Sequence, residues 1–358
     1  MEARLSRLID RLDQTHELTK EEYLLLLQNR SPELARQIAG LACQRAQEHY
    51  GNRIFVRGLL EISNFCRNGC LYCGINRANR NCQRYRLTEA QILSCAAEGY
   101  DLGFRTIVMQ GGEDSWFTDD RLCAIIRQLK QAHPDCAVTL SLGERSRESY
   151  QRLFDTGADR YLLRHETADP NHYSRLHPSD MHYEHRMKCL QDLHEIGFQT
   201  GCGFMVGSPG QTLENLAQDL RFIQEFSPEM CGIGPFIPHR DTCFRDQPSG
   251  TVELTCFLLS LIRIMKPNVL LPATTALGSI DPVGREKGIL SGANVVMPNL
   301  SPADVRDKYM LYNNKLSSGP EAAQNLQELR KRMRSIGYQV VVDRGDFEIK
   351  KEKDYDCL

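Results

Sequence analysis

Ile62-Ser63-Asn64-Phe65-Cys66-Arg67-Asn68-Gly69-Cys70-Leu71-Tyr72-Cys73 places a C-x3-C-x2-C loop directly after an apolar, strand-like run. Three thiolates so close together on a flexible loop can hold three irons of a [4Fe–4S] cube. No fourth cysteine stands nearby, so the fourth iron has no protein ligand. A cluster with one open iron can bind a small chelating molecule and pass it an electron. The competing readings are a structural zinc site and three unrelated thiols. Zinc wants a fourth Cys or His close by, and Cys82 lies nine residues on, past a basic polar stretch.

The run before the loop, residues 54–62, reads as the first of a series of strands, each followed by a helix. Before it, the first fifty residues read as helices, with Thr19 as one cap and Ser31-Pro32-Glu33 opening another. After it, strands are expected at 105–109, 137–142, 160–165, 200–206, 230–233, 268–275 and 293–297. Helices are expected at 88–102, 119–133, 146–155, 183–197, 213–226, 252–265 and 284–291. Strand, loop and helix at intervals of about thirty residues imply parallel strands joined by right-handed crossovers. Eight strands predict an α/β fold, a (β/α)8 TIM barrel, with a six-stranded open barrel as the main alternative. Residues 1–50 form an N-terminal helical extension in this reading, 51–319 the barrel, and 320–358 a small C-terminal extension of one helix, one strand (339–342) and a charged tail.

Bulk properties narrow the function. The chain has 358 residues, 41% hydrophobic and 25% charged, with a net charge of −2. That balance gives no long-range attraction for nucleic acid or anionic membranes. The N-terminus is charged and amphipathic without an apolar signal core, and no stretch has the length needed to span a bilayer. Fourteen cysteines scattered through a large chain fit a reducing cytoplasm, with most thiols acting as small apolar residues. Cys95, Cys123, Cys189 and Cys256 fall among apolar helix neighbours, and Cys357 sits in the tail.

In such barrels function collects where strands end and the following loops begin. The unusual residues cluster there: the cysteine loop, Gln110-Gly111-Gly112-Glu113, Ser141 with Glu144, Arg164 with Glu166, residues 207–212, Pro238-His239, Thr274-Thr275 and Met297. Side chains two apart on a strand share a face, so Arg164 and Glu166 can point into one cavity, or form a structural ion pair. His165, His172, His177, His182 and His185 make a dense histidine stretch. A wet, polar loop is the expectation there, with metal binding the alternative.

The cysteine spacing is the signature of radical S-adenosylmethionine (SAM) enzymes, and over residues 53–315 the chain resembles the HydE maturases of [FeFe]-hydrogenase. The segments that carry the resemblance are 62–74, 110–114, 139–144, 205–212, 272–277 and 309–313. The resemblance implies a radical SAM enzyme with a complete barrel, in which Cys66, Cys70 and Cys73 hold the cluster. It implies that Ser141, Glu166 and Arg186 contact SAM, joined by Tyr72, with Gln110, Gly111 and Gly112 lining the methionyl end. Arginine can clamp a carboxylate through two hydrogen bonds, and glutamate can accept from ribose hydroxyls or the ammonium. Arg164, Thr274, Thr275, Met297 and Tyr309 match positions around the substrate.

The implied role is in hydrogenase maturation: a SAM-derived 5'-deoxyadenosyl radical acts on an iron synthon bearing cysteine, CO and cyanide, during assembly of the diiron subcluster. The implied partners are that small organometallic or amino-acid-derived substrate, an electron donor such as ferredoxin or flavodoxin, and other hydrogenase maturases. Residues 314–328, where some members bind a second cluster, contain no cysteine, so one [4Fe–4S] cluster and SAM are the expected cofactors.

Three alternatives stay open. A methylornithine synthase-like lysine mutase shares the barrel, the single cluster and the SAM contacts. A biotin synthase-like sulfur insertion enzyme needs a second cluster inside the barrel, at positions that align near Ala137 and Gly201. Neither is a thiol, and using the neighbouring Cys136 and Cys202 would need a register shift that turns them to the opposite face. A non-catalytic iron–sulfur or zinc module predicts no SAM binding.

Overall fold

The computed structural model describes residues 1–317 and 322–348. Its strands are β1 (Arg53–Val56), β2 (Gly58–Ser63), β3 (Thr106–Gly111), β4 (Ala137–Ser141), β5 (Arg160–Leu162), β6 (Gln199–Cys202), β7 (Met205–Val206), β8 (Met230–Cys231), β9 (Gly234–Pro235), β10 (Val295–Val296) and β11 (Gln339–Val341). The order β2-β3-β4-β5-β6-β8 is entirely parallel. The ring continues through parallel bridges from Met230 to Leu270 and from Pro272 to Val295. It closes where β10 pairs with β1 and Asn299 bridges Leu59. Eight positions in one parallel ring, with helices between them, make the (β/α)8 barrel.

Helix starts follow their local chemistry. Thr88 and Thr19 each accept from the third helical N–H while Gln91 and Glu22 reach back, closing capping boxes. Ser31 caps Pro32–Tyr50, with proline in the first turn. That helix packs on Val252–Met265, and Lys20–Gln28 packs on Leu213–Phe226, so the N-terminal segment lies against the outside of the barrel.

Several strands are shorter than predicted. Residues 54–62 split at Arg57 into β1 and β2. Residues 200–206 and 230–233 break where Gly203 meets Gly232: a Cβ at Gly203 would lie 2.1 Å from the Gly232 carbonyl oxygen. The predicted strand 268–275 is reduced to the bridges at Leu270 and Pro272, and Thr275 opens the helix Thr275–Ile280. Pro272 has no N–H to offer a ladder, which favours this early exit. β5 stops at Leu162, so Arg164 and Glu166 stand on the loop beyond it rather than on one strand face. Glu166 takes a left-handed φ of 67° while bridging Phe204.

The C-terminal segment closes the other end. β11 pairs with β1, and buried Arg160 donates to the Arg344 and Gly345 carbonyls at 3.0 and 3.2 Å and to Asp346. Thr106 donates to the Arg344 carbonyl at 2.7 Å. These contacts sit at the strands' N-terminal ends, opposite the cysteine loop. The predicted boundary at 319–320 and most of the charged tail, Cys357 included, lie outside the described residues.

Candidate active site

The cysteine loop is held from both sides. Asn64 accepts from Tyr85 N–H at 2.7 Å and donates to the Gln83 and Lys308 carbonyls at 2.9 and 2.7 Å. Arg84 gathers the Ile75, Asn76 and Asn79 carbonyls. Leu71 and Gly74 donate backbone hydrogen bonds to Leu176 and Leu311. Glycine is required twice by close approach: a Cβ at Gly74 would lie 2.2 Å from the Met310 carbonyl oxygen, and one at Gly112 would lie 2.2 Å from that of Phe65.

Burial pushes the Cys66 thiol up, Cys70 up to about 12, and Cys73 well above the usual thiol range. Their thiolate forms therefore depend on a bound cation. No three His, Cys, Asp or Glu side chains among the described residues converge closely enough to chelate a single metal ion.

Above the barrel lies a cavity of about 330 Å³. Every sequence-predicted site residue except Cys70 lines it: Cys66, Tyr72, Cys73, Gln110, Gly111, Gly112, Ser141, Arg164, Glu166, Arg186, Thr274, Thr275, Met297 and Tyr309. Cys70 lies just behind this lining, its sulfur 3.8 Å from Met181 Sδ, and close enough to Cys66, Cys73 and Arg186 to feel their charges. Arg186 is nearly buried; its Nε donates to Glu144 and its Nη1 to the Arg164 carbonyl at 2.7 Å. Nη2 makes no hydrogen bond among the described residues. Arg164 Nη2 faces Glu166 Oε2 at 3.2 Å, yet neither atom, nor Arg164 Nε, nor Thr274 Oγ1, has a hydrogen-bond partner. Buried polar groups seldom stay unpaired. This set of donors and acceptors fits a small zwitterionic ligand with hydroxyls, as SAM is.

Sequence reading missed an ion pair in the same wall. Lys315 Nζ lies 2.6 Å from Glu61 Oε1, both side chains essentially buried. Asn299 donates to the other Glu61 oxygen at 3.0 Å, and the Lys315 ammonium sits 5.3 Å from the Tyr309 ring centre. The available signal was a glutamate in the otherwise apolar run Gly58-Leu59-Leu60-Glu61-Ile62.

The histidine stretch is not one wet loop, since His165, His172 and His177 are buried. Each has its own partners: His165 accepts from Gly203 N–H, His172 approaches the Pro209 carbonyl, and His185 approaches Glu144. His177 donates through Nδ1 to the Tyr173 carbonyl at 3.0 Å, leaving Nε2 to accept from Tyr72 at 3.3 Å.

Burial, reinforced by Arg186, pulls the His177 pKa down from 6.5 to about 3. Between those values the unfolded chain holds a proton that the folded chain lacks. Stability is therefore full above pH 6.5 and falls by about 1.4 kcal/mol per pH unit on acidification toward pH 3. His177→Gln should shrink the pH 7-to-5 difference in denaturation free energy by about 2 kcal/mol, leaving the share of His165, which burial also pulls down to about 3; identical differences in both proteins would refute the assignment.

The radical SAM superfamily profile matches residues 60–223. The [FeFe] hydrogenase maturase subunit HydE of Thermotoga maritima is 45% identical over 276 residues, 77% of this chain and 78% of that one. The 3-methylornithine synthase of Methanosarcina barkeri is 25% identical over 95% of each chain. A crystal structure of methylornithine synthase superposes with a TM-score of 0.79 at 22% identity, covering 93% of this chain and 97% of that one. That likeness shows the fold. Identity of 45% across 78% of the HydE chain makes this protein a member of the HydE family of radical SAM enzymes, with a [4Fe–4S] cluster and S-adenosylmethionine as cofactors.

Proposed function

We propose that this chain is a hydrogenase maturase whose cavity takes SAM and a cysteine-bound iron carbonyl cyanide synthon as substrate, during assembly of the diiron subcluster. When bound, the cluster supplies the electron that splits the SAM sulfonium. Cys66, Cys70 and Cys73 would hold it, with Arg186 and Glu166 orienting SAM through its carboxylate and its ammonium or ribose. Arg164 supplies a cation for the substrate carboxylate, Thr274 and Thr275 supply hydroxyls, and Met297 a polarizable wall near sulfur.

The observation that carries this reading is one cavity wall in which Arg164, ion-paired with Glu166 at 3.2 Å, and Thr274 Oγ1 hold polar atoms without hydrogen-bond partners. It suits a short ligand bearing a carboxylate better than a long alkyl amine. A biotin synthase-like reaction finds no support: Cys202 pairs across the strands with Cys231, both in the core between sheet and helices, while Ala137 and Gly201 offer no sulfur. Among the described residues no helix is long and apolar enough to cross a membrane. An oxygen-sensitive cluster suits a reducing cytoplasm, where other maturases and a ferredoxin or flavodoxin would be the partners.

The test supplies reduced protein and SAM with each candidate substrate. The iron synthon should give a deoxyadenosyl product and support hydrogenase activation in a maturation mix, and lysine should give no methylornithine. Lysine turnover with failed hydrogenase activation would overturn the maturase assignment and leave the radical SAM chemistry intact.

A further inference from the structure

One carboxyl group is buried where a barrel helix is otherwise apolar. Leu213–Phe226 buries Leu216, Ala217, Leu220 and Ile223, and Asp219 sits among them with no exposed surface. A polar group in such a place is unfavourable unless it is hydrogen-bonded. Burial pushes the Asp219 carboxyl well above the usual carboxylate range, which favours its neutral form. Its Oδ2 has no partner, while Oδ1 accepts from the Ala168 N–H at 2.5 Å.

The same oxygen lies 3.4 Å from His165 Nε2. The other ring nitrogen, Nδ1, accepts from the Gly203 N–H at 3.2 Å, so the ring proton stands on Nε2 and faces Asp219. Gly203 in turn accepts the Glu166 N–H at its carbonyl, at 3.0 Å. His165 and Ala168 therefore meet one side chain of the outer helix, and the turn between them contains Glu166, whose φ of 67° is left-handed. A residue with a Cβ seldom keeps that conformation unless its surroundings impose it. Arg186 already holds the Arg164 carbonyl at 2.7 Å, so the part left to fix is the turn at 165–168.

We infer from this geometry that Asp219 is a positioning residue: from behind the sheet it holds the turn that aims the Glu166 carboxylate into the cavity, a role that rests on the proposed contact of Glu166 with SAM. Asp219 does not itself line the cavity. Without its carboxyl group, the Ala168 N–H and the His165 Nε2–H would be left unpaired in the core. The turn would then relax from the left-handed conformation and carry Glu166 out of register with SAM.

The test titrates SAM into the reconstituted protein in a double-mutant cycle. With Glu166 present, Asp219→Ala should weaken SAM binding about tenfold or more at unchanged iron content. In the Glu166→Ala background the same change should cost less than about twofold, because the side chain that Asp219 aims is gone. Asp219→Asn keeps Oδ1 as acceptor on a neutral group and should bind SAM within about twofold of wild type. His165→Phe fits the slot beside Phe204 and Phe222 and cuts the link to Gly203. It repeats the cycle from the other end should Asp219→Ala fail to fold. Unchanged affinity in Asp219→Ala, or an equal loss with and without Glu166, would overturn the positioning role while leaving Glu166 on SAM. Wild-type affinity in Glu166→Ala alone would instead remove Glu166 from SAM, and the role of Asp219 with it.

Discussion

Arg186→Ala is expected to weaken SAM binding by about 2–5 kcal/mol, roughly thirtyfold to several thousandfold, with iron content unchanged. The guanidinium is almost fully desolvated, and two of its hydrogens are already committed, to Glu144 from Nε and to the Arg164 carbonyl from Nη1. The second Nη1 hydrogen and both Nη2 hydrogens remain, and they form the edge a carboxylate can grip at two points. A purely structural role would predict something else: Glu144 left with an unpaired charge and a lower melting temperature, but unaltered SAM affinity. Arg186→Lys separates the two. It keeps the charge beside Glu144 and loses the fork, so stability should recover while binding stays weak. Equilibrium titration of SAM into the reconstituted variants decides, and unchanged affinity in Arg186→Ala would place Arg186 in the scaffold.

What was legible in the sequence was local. Leu213–Phe226 and Val252–Met265 form over the predicted residues, because cap threonines and 3.6-residue periodicity act within a few positions of the chain. The cysteine loop and its polar neighbours were readable for the same reason, since a barrel delivers every strand end to one mouth. Contacts that join distant segments were not readable. The backbone contact of Gly203 with Gly232, the Arg160 cover formed by residues 344–346, and the burial of His177 beneath Tyr72 depend on packing between residues far apart in the chain. Their sequence signals are an ordinary glycine, an arginine and a histidine.

The pair least visible in the sequence carries the largest expected effect on stability. Glu61 has no exposed surface, and 254 positions separate it from Lys315. Lys315→Met should destabilise the fold by about 3–5 kcal/mol, because it leaves a carboxylate desolvated with only Asn299 as donor. Water entering the cavity would move the cost toward the lower end of that range. Removing the charge at both positions is a different case. In Glu61→Gln with Lys315→Met, the neutral amide can still accept from Asn299, so most of the lost stability should return. Urea denaturation of the four proteins in a double-mutant cycle measures the coupling, and additive effects would show that the pair is incidental. Because both residues line the cavity beside Tyr309, the stable double variant also carries a functional signature. If the ammonium itself binds an anionic substrate, KM should rise even though the wall's net charge is unchanged, because the hydrogen-bond donor is gone, whereas a pair that only braces β2 against residue 315 would leave KM unmoved.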